Sequence, residues 1–182
     1  MIKIQYFYKF FWSIRAILFK PFFGNIGLYS YLGKPIFLLG IKKVFLGRRV
    51  RIFPHSRIEV HGNKLYEDNI SIGQSFHIIC SSNIIISEGT LISANVFITD
   101  TDHTYKNISL PIHVQKTNIS TTYIGKNCFI GYGVVIQAGT KLGNNCIVGA
   151  NSTIKGSFFD NSIIVGSPGR IIKKLDKLWL TF

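Results

Sequence analysis

Residues 124–154 read IGKNCFIGYGVVIQAGTKLGNNCIVGANSTI, and an aliphatic side chain returns at every sixth position: Ile124, Ile130, Ile136, Leu142, Val148 and Ile154. Glycine follows four of them directly, at Gly125, Gly131, Gly143 and Gly149. The fourth residue onward is small or β-branched: Cys128, Val134, Thr140, Cys146 and Ser152. A period of six matches neither an α-helix nor an isolated strand pair. It fits a β-solenoid in which each hexapeptide supplies one short side and one corner, with the aliphatic filling a narrow interior and glycine easing the corner. Cys128 and Cys146 lie three repeats apart and should therefore stack in one interior column as reduced, space-filling thiols.

A rougher array precedes this one. It runs through Leu46-Gly47, Ile52 and Ile58, then Ile72-Gly73, Ile78 and Ile84, then Ile86, Ile92 and Ile98. Its phase is broken by the polar stretch 59–71 and by a two-residue slip between Ile84 and Ile86. A longer interruption, TDTDHTYKNISLPIHVQKTNISTTY at 99–123, separates the two arrays. Interruptions in a solenoid become surface loops, and surface loops carry function. The expected organisation is an N-terminal helical segment over 1–40, an all-β parallel solenoid over 41–170 with a protruding loop at 99–123, and a short amphipathic C-terminal helix over 171–182.

Composition bounds what the chain can be. Its 182 residues, 47% of them hydrophobic, suit one well-filled domain. No secretory signal with a small-residue cleavage site is visible, nor any uninterrupted apolar run near 20 residues. The three cysteines lack CxxC spacing, which argues against both a zinc ribbon and a disulfide framework. Charge is unevenly spread: residues 1–58 hold 11 of the 21 Lys and Arg and no acid, the first being Glu59.

That basic first third also carries Tyr6, Phe7, Tyr8, Phe10, Phe11, Trp12, Phe19, Phe22 and Phe23. Read as a helix from about Gln5 to Lys20, it has a narrow polar stripe of Gln5, Lys9, Ser13 and Lys20 on an otherwise apolar surface broken by Arg15. Basic and aromatic residues without acids describe a helix lying in the interface of an anionic membrane. The same segment could instead cap the open end of the solenoid, which repeat proteins require. Nothing beyond basic charge and aromatics points to nucleic acid, so none is expected as a partner.

The interruption opens Ile98-Thr99-Asp100-Thr101-Asp102-His103, which places an imidazole where the chain leaves the solenoid wall. A neutral imidazole can take a proton from an alcohol and later return it. Asp100, Asp102 or a backbone carbonyl could hold its tautomer.

Taken together, SANVFITDTDHTY, the run Tyr123 to Gly131, the stretch Gly149-Ala150-Asn151-Ser152 and the tail Val165-Gly166-Ser167-Pro168-Gly169-Arg170 resemble the hexapeptide-repeat O-acetyltransferases. The similarity is closest to those encoded with surface polysaccharides, and more distant to the galactoside and maltose acetyltransferases. It covers about residues 40–175. The resemblance implies a left-handed parallel β-helix, a homotrimer, acetyl-CoA bound as acyl donor between subunits, and a long loop that helps close the active site.

It also implies site residues. His103 matches the catalytic histidine. Asn95, His77, Asp100, Asp102 and Phe129 fall on the acceptor side, Phe129 standing where many relatives have tryptophan. Gly131, Gly149 and Ala150 lie where pantetheine would approach the backbone, and Lys155 and Arg170 are candidates for the phosphates of CoA.

The reading that follows is acetyl-CoA-dependent transfer to a hydroxyl of a surface polysaccharide or its lipid-linked precursor. His103 would act as base without an acyl-enzyme, on the inner face of the cytoplasmic membrane. An N-acyltransferase of nucleotide-linked amino sugars is the alternative. A γ-class carbonic anhydrase would need a histidine pair five residues apart, and no two of His55, His61, His77, His103 and His113 have that spacing, so no metal is expected.

Overall fold

A computed structural model describes residues 2–175, giving only the backbone for 2–5 and 63–66. An N-terminal helix, α1 (Ile2–Phe19), leads into short strands that wind as a three-faced parallel solenoid. Each face is a parallel sheet, because every coil lays its strand directly on the preceding one.

Strand register gives three vertical rows. On the first face Ile26, Leu46, Tyr66, Ile86, Ile124, Leu142 and Phe158 align. On the second, Leu32, Ile52, Ile72, Ile92, Ile130, Val148 and Ile164 do so. The third runs Leu38, Ile58, Ile78, Ile98, Ile136 and Ile154. The isoleucines of these rows are buried and form one continuous core with Phe76, Val96, Cys128 and Cys146 between them. The expected all-β solenoid and the inward cysteine column are both present.

The breaks in the early array have a structural cause. Its coils are twenty residues long rather than eighteen, as the row Ile26, Leu46, Tyr66, Ile86 records. The extra two residues sit at the corner between the third and first faces, where the strands Arg57–Val60, His77–Cys80 and Asn83–Ile86 each extend to four residues. Ile84 and Ile86 both point inward from one strand, so the slip between them is simply strand alternation. Stretch 59–71 is likewise an ordinary coil. The solenoid also begins earlier than residue 41: Asn25–Ile26, Tyr31–Leu32 and Phe37–Leu39 make its first turn.

Glycine after the inward aliphatic serves coil stacking rather than corner dihedrals. A Cβ on Gly131 would lie 2.7 Å from the Ala150 nitrogen and 2.8 Å from the Val148 oxygen. The left-handed positions are shared between other glycines, such as Gly133 (φ 68°) and Gly139 (φ 80°), and asparagines, among them Asn127 (φ 54°), Asn145 (φ 55°) and Asn161 (φ 62°). Their amides form a ladder, Asn127 Nδ2 donating to Asn145 Oδ1 at 3.0 Å and Asn145 Nδ2 to Asn161 Oδ1 at 3.1 Å.

The two ends are closed differently. Pro21 and Gly24 stop α1, which lies on the first coil with Ala16 and Phe23 buried and Phe19 packed against the core. Arg15 Nη1 donates to the Leu32 carbonyl at 3.1 Å, and Trp12 packs on Tyr31 and Phe53. At the other end the expected C-terminal helix does not form over its first residues. Arg170–Lys174 is a strand that turns back antiparallel onto Ser162–Val165, because the edge of the second face offers unpaired backbone groups there. Residues 176–182 lie outside the described residues.

If stacking dictates the glycines, Gly131→Ala should lower the unfolding free energy by about 1–3 kcal/mol in a denaturant titration. Alanine at exposed Gly156, with open space around it, should be tolerated sterically and bear only the strain of its positive φ.

Candidate active site

The long interruption leaves the third face immediately after Phe97–Thr99 and rises as a β-hairpin. Thr101–His103 pairs antiparallel with Thr117–Ile119, His103 lying opposite Thr117 and Asp102 opposite Asn118. The tip is closed by Gln115, whose amide donates to the Asn107 and Leu110 carbonyls at 2.9 and 3.0 Å.

Asp100 fixes the exit of this hairpin. It stands one coil above Cys80 and two above Val60, positions that turn inward. Its carboxylate is 0% exposed, a costly placement without compensation. Compensation comes from the corner below: the backbone N–H groups of Ser81, Ser82 and Asn83 donate to it at 2.7, 2.7 and 2.9 Å. The Thr101 hydroxyl lies 3.0 Å from Asp100 Oδ1 and 2.7 Å from the Ser81 hydroxyl. Asp100 is therefore a structural pin. The expectation that it faces an acceptor or holds the His103 tautomer is not met, because both oxygens are occupied inside the wall.

His103 sits three residues beyond this pin, exposed, and among the described residues its ring makes no hydrogen bond. Asp102 beside it pairs with Lys155 at 2.8 Å. That lysine's hydrogen bond and charge hold the Asp102 carboxyl below the usual carboxylate range. The ion pair ties the first hairpin strand to the coil carrying Thr153–Ile154, two coils after the loop begins. Asp102 and Lys155, assigned from sequence to acceptor and cofactor respectively, are thus brought together and engage each other.

The remaining candidates are dispersed over the wall. His77 lies on the outside of the third face between Arg57 and Phe97, with its ring 5.0 Å from the Phe97 centroid in an edge-to-face arrangement. Its Nε2 is buried without a partner, and burial, with Arg57 adding, pushes its pKa below the ordinary histidine value. Asn95 is a left-handed corner residue (φ 59°) whose Nδ2 donates to the Tyr132 hydroxyl at 2.6 Å. Phe129 is an exposed ring on the second face between Leu91 and Ile147.

Gly131 and Gly149 are pressed against the coil that follows, Gly149 facing a Val165 methyl, which accounts for both glycines without pantetheine. Ala150 is exposed at the corner one coil beyond Tyr132. Arg170 is exposed, with its guanidinium on the Gly169 carbonyl at 3.1 Å. The cysteines offer no accessible nucleophile: all three are buried, and contact with the Cys146 sulfur together with burial pushes the Cys128 thiol up. Sequence reasoning missed the Tyr132–Asn95 contact and the Ser81–Thr101 support of Asp100. The twenty-residue spacing Val60, Cys80, Asp100 was the available signal for the second.

Residues 121–156, the regular array, match the profile described as bacterial transferase hexapeptide (six repeats). Among curated proteins, the putative lipopolysaccharide biosynthesis O-acetyl transferase WbbJ of Escherichia coli (strain K12) is 35% identical over 124 residues, covering 63% of each chain. The galactoside O-acetyltransferase of the same organism is 30% identical over 122 residues, covering 61% of this chain and 57% of its own length. The chain thus spans about three fifths of the length of these relatives. In fold it is similar to AntD, an N-acyltransferase from Bacillus cereus in complex with dTDP and 3-hydroxybutyryl-CoA, with a TM-score of 0.78 at 20% identity over 91% of this chain and 90% of the other.

Two tests follow from the pinned exit. Asp100→Ala leaves three N–H groups of a part-buried corner without their acceptor and should cost about 1–3 kcal/mol of stability in a denaturant titration. Lys155→Ala should speed tryptic cleavage after Lys106 or Lys116 by up to about fivefold, an exposed ion pair contributing at most ~1 kcal/mol. Since the folded-state pKa of Asp102 is depressed, the tether is present above about pH 4 and lost as pH falls through the folded value.

Proposed function

We propose that this protein transfers the acetyl group of acetyl-CoA to a sugar hydroxyl of a surface polysaccharide or its lipid-linked precursor, with His103 as general base. The observation that carries the reading is the solvent-exposed, unbonded imidazole of His103 on the first hairpin strand, three residues beyond a rigid anchor. A free ring nitrogen can accept a proton, and a fixed strand root positions it. The named O-acetyltransferases among the relatives support the acyl group and the acceptor class.

In this mechanism neutral His103 takes the proton as the acceptor oxygen attacks the thioester carbonyl. The tetrahedral oxyanion collapses, the C–S bond breaks, and the imidazolium returns its proton to the departing CoA thiolate. No acyl-enzyme forms, in keeping with three buried cysteines. Asp102, engaged by Lys155, leaves the imidazole tautomer to be set by the acceptor or by another chain. The Lys155 ammonium is committed to that pair, so Arg170 is the better placed cation for a CoA phosphate.

The working assembly in this reading is a homotrimer. Its hairpin exposes Tyr105, Ile108, Leu110, Ile112 and Val114, a surface suited to cover by a neighbouring subunit. The enzyme would stand against the inner face of the cytoplasmic membrane, where lipid-linked saccharides and acetyl-CoA meet. Among the described residues no helix is long and apolar enough to cross that membrane.

His103→Ala should lower acceptor-dependent CoA release by about 10²–10⁴-fold while CoA binding by calorimetry is kept. An unaltered rate in the variant, with product formed only from a nucleotide-linked amino sugar, would favour N-acylation and displace His103 from its role.

A further inference from the structure

Helix α1 is apolar on its outward side as well, where an ordinary surface helix turns polar residues to water. Lys9, Ser13, Trp12, Ala16 and Phe19 lie on its solenoid-facing side, whereas Phe7, Phe10, Phe11, Ile14 and Leu18 face away. Phe7 and Phe10 are each 62% exposed and Leu18 is 65% exposed. The rings form a cluster already, Phe7 on Phe11 at 4.8 Å and Phe10 on Phe11 at 5.7 Å, both edge-to-face. Capping accounts for one side of the helix and leaves this side unexplained.

The surroundings identify what would cover it. Exposed Lys20 directly follows α1, exposed Lys34, Lys42 and Arg49 stand on the first two coils, and no acid precedes Glu59. A second copy docking through the same face would bring its own exposed bases against these and be repelled. A layer of anionic phospholipid offers both an apolar depth for the rings and phosphates for the bases.

We infer that the outward face of α1 docks the protein on an anionic phospholipid membrane. The inference specifies the membrane contact of the proposed function and rests on that reading only for its consequence. The His103 hairpin leaves the fourth coil, three strand spacings of about 4.8 Å from the first, so its root stands roughly 15 Å from the capped end. The acceptor class a membrane-docked protein would meet is a membrane-anchored glycolipid.

Sedimentation of the full chain with phosphatidylcholine vesicles, with and without phosphatidylglycerol, tests this. The wild type should partition about tenfold more onto the anionic vesicles, and less as salt is raised. Phe10→Asp with Phe11→Asp, which alters only outward side chains, should abolish the partition with an unchanged circular dichroism melt. Wild type left in the supernatant, or equal binding by the double variant, overturns the inference. So does a double variant that changes oligomeric state without losing vesicle binding, since the face would then join copies. Acetyl transfer to a water-soluble saccharide, measured in parallel, should survive in the double variant. Loss of docking and failure of the acetyltransferase reading therefore register in different assays.

Discussion

The whole molecule depends on how closely one coil lies on the next. Parallel strands stack directly in register, and the backbone after each inward aliphatic passes so near the neighbouring coil that a Cβ on Gly27, Gly33 or Gly125 would meet main-chain atoms at 2.4 Å. That approach leaves a narrow interior, which explains rows of β-branched isoleucine and valine with thiols, threonines and serines between them. It also transfers the conformational demand to the corners, where asparagine and a second set of glycines take left-handed positions and asparagine links successive coils through its amide.

Function is placed by a departure from this regularity. The column Val60, Cys80 ends in Asp100, a charge set into the wall and satisfied by three backbone N–H groups of the coil beneath. A buried carboxylate of this kind is poor evidence for added stability but good evidence for a fixed geometry. It fixes where the hairpin starts, hence where His103 stands. The Asp102–Lys155 pair is weaker and exposed, and it restrains the hairpin rather than building it.

Much of the fold was legible because eighteen residues make a coil of three hexapeptides, so the period shows directly from Ile124 to Ile154. The earlier half was harder to read, since twenty-residue coils shift the phase by two at one corner. The first coil was hidden for another reason: Ile26-Gly27 and Leu32-Gly33 carry the same step, but basic and aromatic neighbours drew the reading toward a helix. Residues 171–174 alternate too little to separate helix from strand, and pairing with an open sheet edge settled the matter. At the site, His103 was legible from its place at the break in the array. The burial of Asp100 was signalled only by its twenty-residue spacing from Cys80 and Val60, and the engagement of Lys155 not at all, because both depend on which coil lies above or below.

The two ends of the solenoid are unlike. One carries an aromatic helix ringed by cations, the other a folded-back strand, and the histidine-bearing hairpin projects from between them. The central claim is that this hairpin imidazole meets the reacting hydroxyl. A crystal structure with CoA and a saccharide acceptor bound tests it most directly. The account predicts an acceptor hydroxyl about 3 Å from a ring nitrogen of His103, with the CoA sulfur beside it. An acceptor seated elsewhere, such as beside the unpartnered Nε2 of His77, with His103 turned to solvent, would contradict it.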